Sequence, residues 1–208
     1  MQPKSLGCLA VLCLGIQSVC TPAAHAQSWV PTQYQDGYVN HGRFSATTGV
    51  LDTSGERALL KQGNGVSIFR LEADDTWTLE AAIPAVEPDI RFGFAGCIDD
   101  DIAIVTAPDW VDGEGVERGR AYAYERDAKT GEWNATYTFE PFGLDPDDAG
   151  IGGYGFGFKV ALDGGLAVIT DMRALGDLGY VKFFERTAPG TWVARDTYLG
   201  LQDEDRFG

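Results

Sequence analysis

Histidine and cysteine are almost missing from this 208-residue chain. It holds two histidines and four cysteines, and Cys8, Cys13 and Cys20 crowd into the first 20 residues. Past residue 26 only His41 and Cys97 remain. That scarcity excludes a Ser/His/Asp set and any zinc-ligand spacing, and no glycine-rich phosphate loop is present either. A lone Cys97 allows no internal disulfide there. Its apolar, strand-like surroundings read as a buried inert thiol. Basic residues are also scarce, with 16 Lys and Arg against 31 Asp and Glu and a formal charge of −15. A surface of that sign repels nucleic-acid phosphates and an anionic membrane face. It serves solubility, or it attracts calcium or basic partners. No apolar run reaches the ~20 residues that a membrane-spanning helix needs.

The amino terminus has its own pattern. Lys4 precedes an apolar run from Leu6 to about Val19, and Ala24-His25-Ala26 follows. A positive start, a short apolar stretch and a small-x-small site are the marks of a secretory signal peptide. Residues 1–26 are therefore expected to be a signal peptide, with a mature start near Gln27 and a secreted, extracellular or periplasmic location. A membrane anchor is the alternative. Residues 27–43, with Trp29, Tyr34 and Tyr38, read as an N-terminal segment or an extra edge strand.

What the chain has is repetition. A Phe before a small residue opens each copy: Phe44-Ser45, Phe92-Gly93, Phe156-Gly157, and again Phe207-Gly208. An Ala in an apolar run follows (Ala58, Ala103, Ala167), then an aromatic (Phe69, Tyr124, Phe184), then a Trp (Trp77, Trp133, Trp192). Self-similarity at roughly 50 residues marks a stacked structural unit. Each unit reads as four short antiparallel strands: 44–51, 57–61, 66–71 and 77–83; 94–98, 102–107, 120–126 and 133–140; 158–162, 166–170, 179–186 and 192–198. Turn residues such as Asp163-Gly164-Gly165 separate them. No twelve-residue window has helical periodicity.

The pattern predicts an all-β fold of β-propeller-type, four-stranded antiparallel blades, about three in number. The boundaries are 44–91, 92–155 and 156–206, with 207–208 starting a further repeat. The second strand would lie inside the sheet and the fourth at its outer edge. The tryptophans would pack between blades with their indole N–H near water, or else stack on a ligand.

These residues resemble the FG-GAP repeats of integrin-alpha-like propellers and their secreted relatives. Arg91-Phe92-Gly93 matches the "FG", and Val105-Thr106-Ala107-Pro108 stands where the family has "VGAP". Ala121 to Arg126 and Tyr180 to Arg186 resemble the strand that follows. The third copy departs at Ile169-Thr170-Asp171-Met172, and the first, with Phe44-Ser45, at both ends. The resemblance spans residues 44–208 and implies extracellular adhesion or ligand binding without catalysis.

Family blades often hold calcium in a loop between the first two strands. Here Asp99-Asp100-Asp101 and Asp163-Gly164-Gly165 occupy that place. Calcium needs six to eight converging oxygens, so these aspartates are expected to be solvated turn residues. Asp109, Asp112 and Glu114 in one acidic loop, and Asp145, Asp147 and Asp148 in another, are the remaining candidate calcium ligands. Trp110 is expected to be exposed in the first of these loops as a contact for an extracellular protein or a carbohydrate. The alternative for it is loop packing. A propeller hydrolase or lyase using acidic residues on polysaccharide is the competing function. Three blades fall below the four to eight of a closed ring, so a longer natural protein or a truncated reading frame is expected, with self-association through open blade faces as the alternative.

Overall fold

A computed structural model describes residues 50–87, 91–141, 155–201 and 206–208. They form three separate four-stranded antiparallel sheets, each a meander in chain order. The first holds β1 (Val50–Ser54), β2 (Arg57–Gln62), β3 (Gly65–Leu71) and β4 (Trp77–Ile83). The second holds β5 (Gly96–Asp99), β6 (Ile102–Ala107), β7 (Arg120–Arg126) and β8 (Trp133–Phe139). The third holds β9 (Val160–Asp163), β10 (Leu166–Asp171), β11 (Tyr180–Ala188) and β12 (Thr191–Leu199). Strand β1 lies against β5 and β5 against β9. The first strands thus lie side by side, and β4, β8 and β12 are the opposite edges of their sheets. The signal-peptide and edge-strand assignments within residues 1–43 lie outside the described residues.

The repeated landmarks pair with one another. Ala58 lies opposite Phe69, Ala103 opposite Tyr124 and Ala167 opposite Phe184. All three alanines are buried. A small side chain directly across a sheet leaves room for a large ring, and such cross-strand pairs are the unit of sheet stabilisation. Beside the aromatic, the ladder between third and fourth strands is interrupted in every sheet. The extra residue at such a bulge sharpens the local twist.

Each first strand begins or ends later in the chain than the apolar pattern suggests. The reason is visible in the second and third sheets. Gly93 and Gly157 sit at φ +76° and +98°, a left-handed region that no strand uses. The N–H groups of Gly93 and Phe94 both donate to the Thr106 carbonyl, and those of Gly157 and Phe158 both donate to that of Thr170. The Phe-Gly pair is therefore a turn packed on its own sheet, and the strand starts after it. A single four-residue helical turn, α1 (Ala174–Asp177), joins β10 to β11 and leaves the described residues all-β as expected. Four residues are too few to leave a period in the sequence. Asp171 starts this turn by accepting the N–H groups of Arg173 and Ala174, each at 3.1 Å.

Two apolar cores fill the spaces between sheets. One joins the first and second sheets around Leu59, Ile68, Phe92, Val105 and Tyr124. The other joins the second and third around Ile104, Phe139, Phe156, Ile169 and Phe184. Burial of such aromatic and branched side chains contributes about 1.5–3 kcal/mol each. Cys97 is buried in the second core. Loss of solvent, with the nearby Asp52 charge adding to it, pushes its thiol pKa far up. Among the described residues, no helix is long and apolar enough to cross a membrane.

Candidate functional site

Several of the charged and aromatic side chains are engaged where sheet meets sheet. The Phe-Gly pairs make these joints. The Phe92 ring faces Tyr122 and Tyr124 of its own sheet at 5.9 and 6.4 Å. Phe156 faces Tyr180 and Phe184 of its own sheet at 6.3 and 6.4 Å. The backbone meanwhile docks on the preceding sheet. Phe156 N–H donates to the Arg118 carbonyl at 3.0 Å, and Phe207 N–H to the Leu178 carbonyl at 3.1 Å. Gly157 faces Thr106 and Gly208 faces Thr170 at the matching place. In the first sheet Lys61 stands there instead, and its ammonium donates to the Phe92 carbonyl.

Charged groups close the same joints at the sheet edges. Glu80 of the first sheet accepts Nε of Arg57 at 2.8 Å and Nε of Arg126, from the second sheet, at 2.7 Å. Asp101 lies 3.3 Å from Arg57 and 3.7 Å from Arg126. Burial alone would raise the Glu80 carboxyl, but the two guanidinium groups outweigh it and hold it below the usual carboxylate range. Asp99 accepts the Ser54 hydroxyl of the first sheet at 3.3 Å and the Gly164 N–H of the third at 2.8 Å. Asp99 and Asp101 are thus cross-sheet links, a correction to their reading as solvated turn residues.

The tryptophans also join sheets. Trp192 meets Phe139 of the second sheet edge-on at 5.2 Å, and the Arg57 guanidinium lies 5.8 Å from the Trp133 ring. The indole N–H groups of Trp133 and Trp192 are buried without an acceptor among the described residues, rather than near water. Packing between sheets buries these N–H groups, although the Trp133 ring is only half-buried.

The long loop between β6 and β7 spans residues 108–119. Trp110, expected to be exposed, is 8% exposed and belongs to the first core. The Arg120 guanidinium stacks 3.3 Å from its ring centre, and its indole N–H donates to Glu87 at 3.2 Å. Such a cation over an indole face is attracted by the ring quadrupole. Acidic neighbours on both sides conceal this in the sequence. The tip that does reach solvent is Val111, Gly113, Glu114 and Gly115, closed by a bridge between Val111 and Glu117.

The calcium candidates are scattered or occupied. Arg91 holds the Asp109 carboxylate. Asp112 accepts Nε of Arg118 and the N–H groups of Glu114 and Val116, the latter two at 2.9 Å. The Arg118 bond first, then those amides, lower its pKa. Glu114 is exposed. Asp145, Asp147 and Asp148 lie outside the described residues. Among the described residues no three His, Cys, Asp or Glu side chains gather as a metal site would require. One carboxyl that sequence reading passed over is Asp171, which is 5% exposed at the end of β10. Burial pushes its pKa up to about 6 against the pull of two backbone N–H groups. Its place in the "GAP" segment was the only signal. No family model and no curated protein matches the chain.

Proposed function

We propose that the chain is a secreted, FG-GAP-like propeller segment, with the three sheets as its blades. It acts as an extracellular binding or adhesion module and performs no catalysis. The partner is a protein or a carbohydrate met by the loops between second and third strands. One observation carries this reading: the joints repeat while those loops do not. The turn between first and second strands has two residues in every sheet. The loops at the opposite end have two, twelve and eight residues (63–64, 108–119 and 172–179). Variable loops on a constant scaffold are where binding residues concentrate. The leader pattern of residues 1–26 supports export. The absence of catalysis is supported by the use of Glu80, Asp99, Asp101 and Glu125 as ties between sheets, which leaves them in structural hydrogen bonds.

Glycan arrays and pull-downs from extracellular matrix test this, comparing the wild type with Val111→Ser and Glu114→Gln. Both substitutions are at exposed loop positions, so the fold should survive them. Loss of a captured ligand in these variants is the expected result. Binding indifferent to both changes, or hydrolysis of a polysaccharide by the purified chain, would overturn the reading.

A further inference from the structure

Three asparagines occur in the chain, Asn40, Asn64 and Asn134, and only Asn64 stands before a glycine. Asn64 is exposed in the two-residue turn between β2 and β3. Asn134 is exposed as well, on the edge strand β8, and is followed by Ala135. A backbone amide nitrogen can attack the side-chain carbonyl of the asparagine before it. A side chain on the attacking residue crowds that approach, and Gly65 has none.

The fold keeps glycine at this position. A Cβ built on Gly65 would lie 2.5 Å from the Ile83 carbonyl oxygen and 3.2 Å from the Pro84 Cα. Both atoms belong to the main chain and cannot swing aside, so any larger residue overpacks the contact. Gly65 opens β3 opposite Gln62, and its neighbour Val66 pairs with Ile83 of β4. The reactive pair is thus tied to the way the end of β4 meets the β2–β3 turn. Lys61 is the only charged residue from 61 to 66, so no carboxylate of the turn opposes the negative oxygen that forms during attack.

We infer that Asn64 is a site of spontaneous covalent modification through a cyclic imide. The Gly65 nitrogen gives up its proton to solvent base and bonds to Asn64 Cγ. The Cγ–Nδ2 bond breaks, and ammonia leaves carrying a proton. Water then opens the ring. Opening at Cγ gives aspartate, and opening at the main-chain carbonyl gives isoaspartate, in which the chain runs through Cγ. The balance is amide plus water to acid plus ammonia, with no enzyme or cofactor. Both products add a negative charge to the turn, and isoaspartate also adds a carbon to its main chain. The pairs Gln62–Gly65 and Lys61–Val66 have no slack for that carbon, because Gly65 abuts Ile83 and Val66 is 1% exposed in the first core. Isoaspartate therefore loosens the first sheet, and aspartate leaves it intact.

Ageing the 208-residue chain in mildly alkaline buffer at body temperature tests this, followed by trypsin and mass spectrometry against fresh chain digested alongside. Cleavage after Lys61 and Arg70 releases residues 62–70, whose single asparagine is Asn64. This peptide is expected to shift from amide to acid mass and to split into two products, one of them a substrate for isoaspartate methyltransferase. Asn134 stays an amide over the same period. The isoaspartyl fraction unfolds at lower denaturant than fresh chain, Asn64→Asp unfolds together with fresh chain, and Asn64→Ser shows neither the mass shift nor the loss with age. Chain held in urea sets the unhindered rate. An Asn64 that stays an amide in the folded chain while the unfolded chain converts, an Asn134 that reacts as fast, or an Asn64→Ser variant that ages as the wild type does would each overturn the proposal.

Discussion

Arg186 grips Glu125 through two parallel N–H···O bonds, 2.9 Å from Nε and 2.8 Å from a terminal nitrogen. The pair runs from the third strand of the third sheet to the third strand of the second. Gly190 N–H donates to the same carboxylate at 3.0 Å. Burial would push the Glu125 carboxyl up, but Arg186 and Gly190 outweigh it and hold the carboxyl below its usual range. A depressed carboxyl gives stability that is present at neutral pH and is lost as pH falls through its folded value. Arg186→Met leaves a nearly buried carboxylate without its cation. It is expected to cost about 2–3 kcal/mol at neutral pH, the scale of hydrogen bonds to a charged group. Thermal unfolding between neutral and strongly acid pH checks both points: the wild type loses stability on acidification, and the variant loses less.

Gly119 marks the seat of the Phe156 backbone. It sits at φ +74°, and a Cβ built there would lie 2.2 Å from the Phe156 carbonyl oxygen. Left-handed backbone costs a side-chain-bearing residue roughly 1–2 kcal/mol, and overpacking adds about 1–3 kcal/mol. Gly119→Ala is expected to destabilise the chain by about 3 kcal/mol in denaturant unfolding. Gly113, at the tip of the same loop, has nothing within 4 Å of its would-be Cβ. Gly113→Ala should stay within about 0.5 kcal/mol of wild type.

Trp110 is a packing residue of the first core, so its truncation is felt in stability. Trp110→Ala removes a buried ring and the partner of Arg120. Loss of about 3–5 kcal/mol is expected, the usual cost for a core Trp. Trp110→Phe keeps a ring for Arg120 to stack on and should recover much of that. Denaturant midpoints of the two variants check the order.

Asp171 works in the opposite sense from Glu125. Burial raises its pKa to about 6, so the folded chain holds a proton that the unfolded chain gives up. Stability from this group is full below the ordinary aspartate range and is lost as pH rises through about 6. Asp171→Asn keeps an oxygen for the Arg173 and Ala174 amides and carries no charge. It is expected to raise stability above pH 6 by roughly 2 kcal/mol and to flatten the profile on the acid side. Thermal unfolding from weakly acid to weakly alkaline pH reads this directly.

Ala58, Ala103 and Ala167 were legible as landmarks before any coordinates, as were the aromatics paired with them. Strand alternation, turn glycines and constant spacing are short-range properties, and pairing within a meander follows from them. The later start of β5 and β9 was harder to see. Phe94 and Phe158 look like strand residues, and only the two amides converging on one threonine carbonyl show the turn. The candidate site was less legible still. Trp110 sits among Asp109, Val111 and Asp112 in a loop that reads as solvated, and its place in the core depends on Arg120 and Glu87 reaching it.

Three meandering sheets, and the cross-strand match of small residue to ring, follow from local order along the chain, because antiparallel neighbours joined by short turns have little choice of partner. Which side chain meets which across separate sheets was settled only when the sheets packed. Asp99 touching both flanking sheets, Glu80 shared by two arginines, and Arg186 gripping Glu125 all involve groups far apart in sequence. Their distances depend on how two twisted faces lie against each other, and no spacing along one strand encodes that.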